Sequence, residues 1–319
     1  MKKYAFGVDV GGTTCKIGFF ETSGTLIDKW EIKTNTENGG ASILPDVAAS
    51  VEAKLSERGI GKDEVQGIGI GVPGPVREDG VVSRCVNLGW QEVHVAEELC
   101  ALTGLLVKAG NDANVAALGE MWQGGAKGSK NIVMVTLGTG VGGGVIVRGR
   151  IVAGFDGAGG EIGHITVCAD EKEACNCGRC GCLEQYVSAT GIVRVAKRHL
   201  ERSDDVTSLR EIDRDALTAK DVFDAAKAGD AVALELVDEV CGILGAALSN
   251  IACVVNPEII LIGGGVSKAG EILIDYIRPH YEKNVFHGSR QVKFSLATLG
   301  NDAGIYGAAK LILDAVENN

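Results

Sequence analysis

A short stretch in the middle of the chain carries five residues that could bind a metal ion. In GEIGHITVCADEKEACNCGRCGCLE, at 160–184, His164 is followed by Cys175, Cys177, Cys180 and Cys182. Four soft donors of the Cys3His type suit tetrahedral zinc, and a site closed by four protein ligands leaves no position for a reactive water. The spacing therefore predicts a structural zinc site, for which five candidates compete for four positions. A cluster of reduced cysteines without metal is the alternative.

Two carboxylates flank these candidate ligands. Glu161 lies three residues before His164, and Glu184 lies two residues after Cys182. The second ring nitrogen of a zinc-bound imidazole usually donates to a carboxylate or a carbonyl, although a hydroxyl of a bound ligand could serve equally well. We therefore interpret this loop as a rigid support that directs polar groups at a bound molecule.

A phosphate site is indicated near the N-terminus, where residues 4–20 read as an apolar strand, a Gly/Thr tip and a second apolar strand. Glycines let the backbone approach a phosphate, amides bind its oxygens, and a carboxylate can face Mg²⁺ or its waters. An ordinary glycine-rich turn is the alternative. A Walker loop is excluded because the lysine leads into a strand. The groups offered by this tip are Asp9, Gly11, Gly12, Thr13 and Lys16.

A second hairpin of the same pattern is predicted at 132–147, IVMVTLGTGVGGGVIV. Its tip matches G-x-G-x-x-G at Gly138, Gly140 and Gly143. A dinucleotide fingerprint must open a helix, however, whereas this sequence continues as a strand. We expect two similar hairpins that hold a polyphosphate from both sides.

Three other polar or glycine-rich positions follow predicted strands or lie in loops. Asp112 stands at a strand-to-helix junction, where it would serve either as an N-cap or as a general base, with Asn111 orienting the substrate. Asn87, in the loop VNLGW, would reach a ligand or satisfy its own turn. The glycines at 263–265 suit a nucleoside lying against backbone, or form a tight turn.

The composition indicates an α/β protein that must position these groups. Of 319 residues, 45% are hydrophobic and 5% aromatic, and Gly is abundant at 46. The net charge of -11 argues against nucleic-acid binding. Asp9 interrupts the only apolar run that could begin a signal peptide, and no run approaches transmembrane length. With ten cysteines and no export signal, we expect a reduced, cytoplasmic protein that does not bind membranes.

Taken together, these motifs resemble the ROK family of sugar kinases, in particular its bacterial glucokinase members. The matching pieces run in order through the chain: DVGGTTCK, GVPGP, NLGW, NDANVAALGE, LGTGVGGG, GGEIGH, CNCGRCGCLE and IGGGVS. The resemblance implies an α/β, actin-like ATPase fold in which two lobes close over a cleft. The expected lobes are 1–118 plus 303–319, and 119–302. It also implies that ATP and Mg²⁺ are used to phosphorylate a hexose.

The resemblance further implies roles for individual residues. Asp112 would accept the proton of the sugar hydroxyl, which in a glucokinase is the hydroxyl at C6. Structural Zn²⁺ would be bound without Cys180. Sugar hydroxyls would contact Asn87, Asn111, Asp112, Glu161, His164 and Glu184. The phosphates of ATP would contact Asp9, Gly11, Gly12, Thr13, Lys16, Thr139 and Gly140, and adenosine would lie near Gly264 and Gly265. The zinc ligands would be His164, Cys175, Cys177 and Cys182.

Several alternatives stay open within this resemblance. Fructose, N-acetylmannosamine, allose or N-acetylglucosamine could replace glucose, because hydroxyl stereochemistry is read by hydrogen-bond geometry. Polyphosphate could act as a donor besides ATP. A sugar sensor would not need the base Asp112, and a DNA-binding repressor is disfavoured because the first hairpin begins at residue 4. A homodimer is expected from the resemblance alone.

Overall fold

The computed structural model describes residues 2–317 of the chain. Two compact units are present. The first runs to Lys130, takes in Gly144–Gly160 and resumes at Thr298, and the second consists of Asn131–Gly143 and Glu161–Ala297. The first unit therefore extends past residue 118, and it includes Gly144–Gly160 and residues 298–302, which the expected ranges place in the second lobe. The assignment of functions to two lobes stays a prediction.

The central strands are buried apolar runs rich in β-branched residues, whereas the edge strand Leu26–Lys33 alternates apolar with charged residues. Their bounds are β1 (Tyr4–Val10), β2 (Thr14–Glu21), β3 (Leu26–Lys33), β4 (Val65–Val72), β5 (Val81–Val82), β6 (Val93–His94), β7 (Val107–Asn111), β8 (Ile132–Leu137), β9 (Val141–Val147), β10 (Arg150–Ile151), β11 (Ile259–Gly263) and β12 (Lys293–Leu296).

The helices bury apolar residues; polar side chains such as Thr218 and Asp230 cap the N-termini of some, and αL residues such as Gly59 and Asn256 follow the C-termini of others. Their bounds are α1 (Glu37–Gly40), α2 (Ile43–Arg58), α3 (Val95–Thr103), α4 (Asp112–Gln123), α5 (Glu184–Val187), α6 (Ala189–Arg202), α7 (Ala219–Lys227), α8 (Ala231–Val255), α9 (Ile272–Asn284) and α10 (Ala303–Glu317).

The first unit contains a mixed sheet with the strand order β3-β2-β1-β4-β7. β1 and β2 form an antiparallel hairpin in which Asp9 lies opposite Lys16. β1, β4 and β7 are parallel, and their register places Asp9, Gly71 and Gly110 in one row across the sheet. Because the carboxyl ends of parallel strands meet at one edge, Asp9 and the residues that follow β7 share that edge.

Two glycines of α10 allow its backbone to approach the polar edge of this unit. A side chain at Gly307 would overlap the carbonyl of Val115 in α4. A side chain at Gly304 would overlap the carboxylate of Asp9. Close helix packing therefore fixes α10 against both β1 and α4, the helix that begins at Asp112.

The second unit is built on a sheet with the strand order β9-β8-β11-β12. Of β9, only residues 141–143 belong to this unit. β8, β11 and β12 are parallel. The core lies between β8 and β11 and the inner faces of α6, α7, α8 and α9. α8 has 25 residues and ends at Val255; its C-cap Asn256 has a φ of 44° and precedes Pro257.

The structure confirms the main elements that the sequence predicts. Both hairpins are present, and the long helix runs from Ala231 to Val255. After the second tip the chain continues as β9 and does not open a helix, so a dinucleotide fingerprint is absent from this segment. Over residues 2–317, every helix is too short or too polar to span a bilayer.

Candidate active site

The tip of the first hairpin presents backbone to solvent. The Gly11 N–H donates to the Thr14 carbonyl at 3.0 Å, and the Thr34 hydroxyl donates to the Gly11 carbonyl at 2.7 Å. These bonds hold the turn while Gly12 and Thr13 stay exposed. A Cβ built on Gly12 would have no neighbour within 4 Å among the described atoms. An anion therefore has room to approach the backbone here.

Asp9 lies half-buried at the base of this tip. Burial, and to a smaller extent the Asp112 carboxylate, raise the pKa of its carboxyl group from 3.8 to about 6, although Lys16 opposes the rise. The Lys16 ammonium also donates to the Asn301 carbonyl at 3.1 Å. Burial and a like charge disfavour the ionised carboxylate, and a bound cation would stabilise it. Asp9 is therefore suited to face Mg²⁺ or its waters.

The junction between β7 and α4 shows which residue caps the helix. Oδ1 of Asn111 accepts a hydrogen bond from the Asn114 N–H at 3.1 Å, and Asn111 is the N-cap of α4. The Asn111 amide donates to the Gly74 carbonyl at 3.1 Å and to Oδ1 of Asp112 at 3.0 Å. The Ala113 N–H donates to the same Asp112 oxygen at 2.8 Å. Capping is therefore the role of Asn111, which also orients the Asp112 carboxylate.

Asn87 lies on a small anchored turn of the first unit. Two backbone hydrogen bonds of 3.0 Å join Cys85 and Trp90 and close the loop. The side chains of Leu88 and Trp90 are buried, whereas Asn87 is exposed. The turn thus presents Asn87 outward from a fixed base.

The predicted metal ligands come together in the second unit. The donor atoms of His164, Cys175, Cys177 and Cys182 all lie within 4.8 Å of one another. Sγ of Cys177 is 3.6 Å from Sγ of Cys182, and Sγ of Cys175 is 4.0 Å from Nδ1 of His164. Zinc–sulfur bonds of about 2.3 Å in a tetrahedron separate the sulfurs by about 3.8 Å. The donor set therefore fits a tetrahedral ion, and the sulfur spacing is too long for a disulfide.

Cys180 lies outside this group of donors. Its Sγ is 3.8 Å from the carbonyl of Lys172. Gly181 separates it from Cys182, has a φ of +74° and would overlap the Cys168 carbonyl if it carried a side chain. This conformation, which favours glycine, turns neighbouring cysteines in different directions.

The His164 ring lies between the cysteines and a carboxylate. Its Nδ1 faces Cys175, and its Nε2 is 3.9 Å from Oε2 of Glu161. An imidazole that bound a metal through Nδ1 would point its Nε2–H toward this carboxylate. Glu161 is exposed at the start of the turn Ile162–His164, so both side chains are accessible to a polar ligand.

Glu184 connects the metal loop to the tip of the second hairpin. Its Oε2 accepts a hydrogen bond from the Val141 N–H at 2.9 Å, and its Oε1 lies 3.5 Å from Sγ of Cys175. A side chain at Gly140 would overlap Oε2. Glu184, which is predicted to bind the sugar, thus contacts the turn that carries Thr139 and Gly140, which are predicted to bind phosphate.

The predicted adenosine glycines lie at the same sheet edge as this tip. They follow β11, which runs parallel to its neighbour β8. Gly264 has a φ of +83°, and a side chain there would overlap the backbone of Leu137 at the end of β8. Gly264 and Gly265 are both exposed. The second unit thus contains both candidate adenosine glycines and part of the candidate phosphate and sugar residues, namely Thr139, Gly140, Glu161, His164 and Glu184.

Sequence reasoning missed Gln185, which fastens two parts of the metal loop. Its Nε2 donates to the Glu173 carbonyl at 2.9 Å, and its Oε1 accepts from the Cys182 N–H at 3.1 Å. The side chain is buried. The only signal in the sequence is its position directly after Glu184.

The chain is similar over nearly its full length to known sugar kinases. A profile of the ROK family matches residues 5–315. The chain is 46% identical to the glucokinase of Halalkalibacterium halodurans, over 97% of this chain and 95% of that protein. It is 39% identical to the glucokinase of Thermotoga maritima, over 97% of each chain.

Two solved structures share its fold. The ROK hexokinase from Thermus thermophilus superposes with a TM-score of 0.83 at 30% identity, covering 99% of this chain and 100% of that one. A ROK family glucokinase from Streptomyces griseus, solved in complex with glucose and AMPPNP, gives a TM-score of 0.75 at 32% identity, covering 97% and 98%. The fold is the predicted actin-like ATPase fold, and the chain belongs to the ROK family.

Proposed function

We propose that this protein is an ATP-dependent glucokinase, which transfers the γ-phosphate of ATP to the 6-hydroxyl of glucose. The observation that carries this proposal is the 2.9 Å hydrogen bond from the Val141 N–H to Glu184. This bond joins Glu184, which is predicted to bind the sugar, to the hairpin tip that is predicted to bind the phosphates. Phosphoryl transfer requires the sugar hydroxyl and the phosphate to be held close together. The identities of 46% and 39% to two glucokinases support glucose as the acceptor.

Asp112 is the proposed general base. It accepts the proton of the 6-hydroxyl as the oxygen attacks phosphorus, and the Asn111 amide, 3.0 Å away, keeps the carboxylate oriented. The sugar hydroxyls are proposed to bind to Asn87, Asn111, Asp112, Glu161, His164 and Glu184.

The nucleotide is proposed to bind along glycine-rich turns. When bound, Mg²⁺ neutralises charge on the phosphates, and Asp9, whose pKa is raised to about 6 by burial, would hold the ion or its waters. Adenosine would lie against Gly264 and Gly265, which are exposed beside β8. The phosphates would contact Asp9, Gly11, Gly12, Thr13, Lys16, Thr139 and Gly140.

Structural Zn²⁺ is proposed to be held by His164, Cys175, Cys177 and Cys182. Burial raises the pKa of the Cys182 thiol to about 12, so its thiolate form requires a nearby cation. Four protein ligands leave no coordination site for a reactive water. The role of the ion is therefore to keep the loop in the conformation that presents the sugar-binding side chains.

The cytoplasm is the proposed location, because ATP is available there and thiols stay reduced. All ten cysteines, which lie within the described residues, have free thiols.

A homodimer is the proposed assembly, and light scattering of the purified protein would determine its mass.

The decisive experiment is ADP release from Mg-ATP by purified protein with glucose, mannose, fructose, allose and the N-acetylhexosamines. We expect the highest kcat/KM with glucose. Highest turnover with another sugar would change the proposed substrate but leave the proposed kinase reaction in place. Sugar binding without ADP release would refute the kinase proposal in favour of a sensor.

A further inference from the structure

Glu171 lies in the metal loop, between the histidine and the first cysteine of the donor group, and is surrounded by hydrogen-bond donors. Its side chain is 6% exposed. The Tyr186 hydroxyl donates to Oε2 at 2.8 Å, and Arg198 donates to Oε2 at 2.8 Å and to Oε1 at 3.1 Å. The Arg194 guanidinium also donates to Oε2. The N–H groups of the two following residues donate to Oε1 at 2.9 and 3.0 Å.

The two arginines extend this cluster to other parts of the second unit. Both belong to α6. Arg194 donates to Oε2 of Glu173 at 3.0 Å and to the backbone carbonyl of Gln185 in α5 at 2.8 Å. Arg198 donates to the same Glu173 oxygen at 2.7 Å. The cluster therefore joins the metal loop, α5 and α6.

Charge balance makes Glu171 the central member of the cluster. Two carboxylates face two guanidinium groups, and the hydrogen bond from Arg198 holds the pKa of Glu171 well below its usual range. Removing this one negative charge would leave two partly buried guanidinium groups with a single, exposed carboxylate, Glu173. Loss of one partner from a buried ion pair is disruptive because the remaining charge is poorly compensated.

The bonds of this cluster reach α5 at the residues directly after Glu184. Tyr186 donates to Glu171 through its hydroxyl, and the Gln185 carbonyl accepts from Arg194. α5 has only four residues, so a rotation of this turn would carry Glu184 with it. The loop is thus fastened at two places, by the metal-binding side chains and by the ion cluster.

We propose that Glu171 is a positioning residue that, together with Arg194 and Arg198, fastens the metal loop to α5 and α6 and thereby holds Glu184 in place for the sugar. This inference rests on the proposed function, because Glu184 is assigned there to the sugar. The ion cluster would thus attach the metal loop to α5 and α6 in addition to the zinc, through contacts that do not involve the ion.

Glu171→Gln in the full-length protein tests this inference with two readouts. We expect the KM for glucose to rise about tenfold, the factor that corresponds to about 1.4 kcal/mol, with kcat and the KM for ATP changed by less than about twofold. We also expect bound zinc to pass to a colorimetric chelator severalfold faster than from the wild type. The second readout does not depend on turnover.

Two further variants keep the test decisive. Tyr186→Phe removes one hydroxyl from the cluster and should fold normally. It should raise the KM for glucose by a smaller factor than Glu171→Gln does. If Glu171→Gln does not fold, Tyr186→Phe provides the test. Asp224→Asn removes an exposed ion pair with Lys220 on α7 of the same unit and should change neither readout.

The inference is overturned if these cluster variants lower the melting temperature while the glucose KM and the zinc release rate stay at wild-type values. Such a result would mean that the cluster only stabilises the fold. A wild-type protein without glucose-dependent ADP release would instead refute the proposed function. In that case the zinc release rate still decides whether Glu171 fastens the loop.

Discussion

Glu184 accepts a hydrogen bond at 2.9 Å from the backbone N–H of Val141, a residue 43 positions earlier in the chain. The other carboxylate oxygen lies 3.5 Å from Sγ of Cys175. One side chain thus contacts both the tip of the second hairpin and the metal-binding group. A change in either segment would therefore alter the position of Glu184.

Gly140→Ala should impair sugar binding through this contact. An added methyl group would overlap Oε2 of Glu184, so the carboxylate must move. We expect a rise of about tenfold or more in the KM for glucose, measured by coupled ADP release. Gly138→Ala is the matched control, because a Cβ there would meet no atom of the described chain within 4 Å. Equal effects of the two variants would contradict this role of Glu184.

Cys177→Ser should cause loss of zinc, whereas Cys180→Ser should not. Sγ of Cys177 lies 3.6 Å from Sγ of Cys182, while Sγ of Cys180 lies near the Lys172 carbonyl. We expect about one zinc per chain in the wild type and in Cys180→Ser, and a small fraction of that in Cys177→Ser, together with a lower melting temperature. Metal analysis of the purified proteins and thermal unfolding provide the measurements. Full zinc occupancy in Cys177→Ser would remove this residue from the ligand set.

The sequence predicts those parts of the fold that depend on local patterns. Apolar runs around a Gly/Thr tip predict both hairpins, and an apolar helical pattern that stops at Asn256-Pro257 predicts α8. The ligand spacing predicts a metal loop, whereas the choice of four ligands among five candidates rests on the resemblance to the ROK family. The geometry of the donor atoms supports the same four residues.

The remaining features depend on contacts between distant segments. The bond between Val141 and Glu184 and the packing of Gly304 on Asp9 join residues far apart in sequence, so local patterns carry no signal for them. Likewise, whether Asn111 or its neighbour caps α4 is decided by side-chain geometry. The raised pKa of Asp9 results from burial in the folded state, which residue identity alone does not determine.

Asp112→Asn should abolish turnover and preserve sugar binding. The amide keeps the size of the carboxylate but cannot accept the hydroxyl proton, so we expect kcat to fall by about 10²–10⁴-fold. Isothermal titration should give a glucose dissociation constant within a few-fold of the wild type. Asp79→Asn, which removes an exposed partner of Arg77, is the control and should keep full activity. Near-normal turnover of Asp112→Asn would show that another group is the base.

Asp9→Asn should stabilise the metal-free protein at neutral pH while reducing turnover. The pKa of Asp9 is raised from 3.8 to about 6, so between these pH values the folded protein holds a proton that the unfolded chain has released. The free energy of unfolding therefore decreases as the pH rises from about 4 to about 6, by up to about 3 kcal/mol. The amide is neutral at every pH and avoids this loss.

Urea unfolding without Mg²⁺ at pH 5 and pH 8 checks this expectation. The gain in the free energy of unfolding from Asp9→Asn should be larger at pH 8, where the wild-type carboxylate is ionised, and Mg-ATP turnover should be reduced because the ion loses its anionic partner. Asp112→Asn removes a like charge that contributes to the raised pKa of Asp9. It should therefore give a smaller gain of the same sign. An Asp9→Asn gain that is equal at both pH values would mean that the substitution acts by packing and not through the charge.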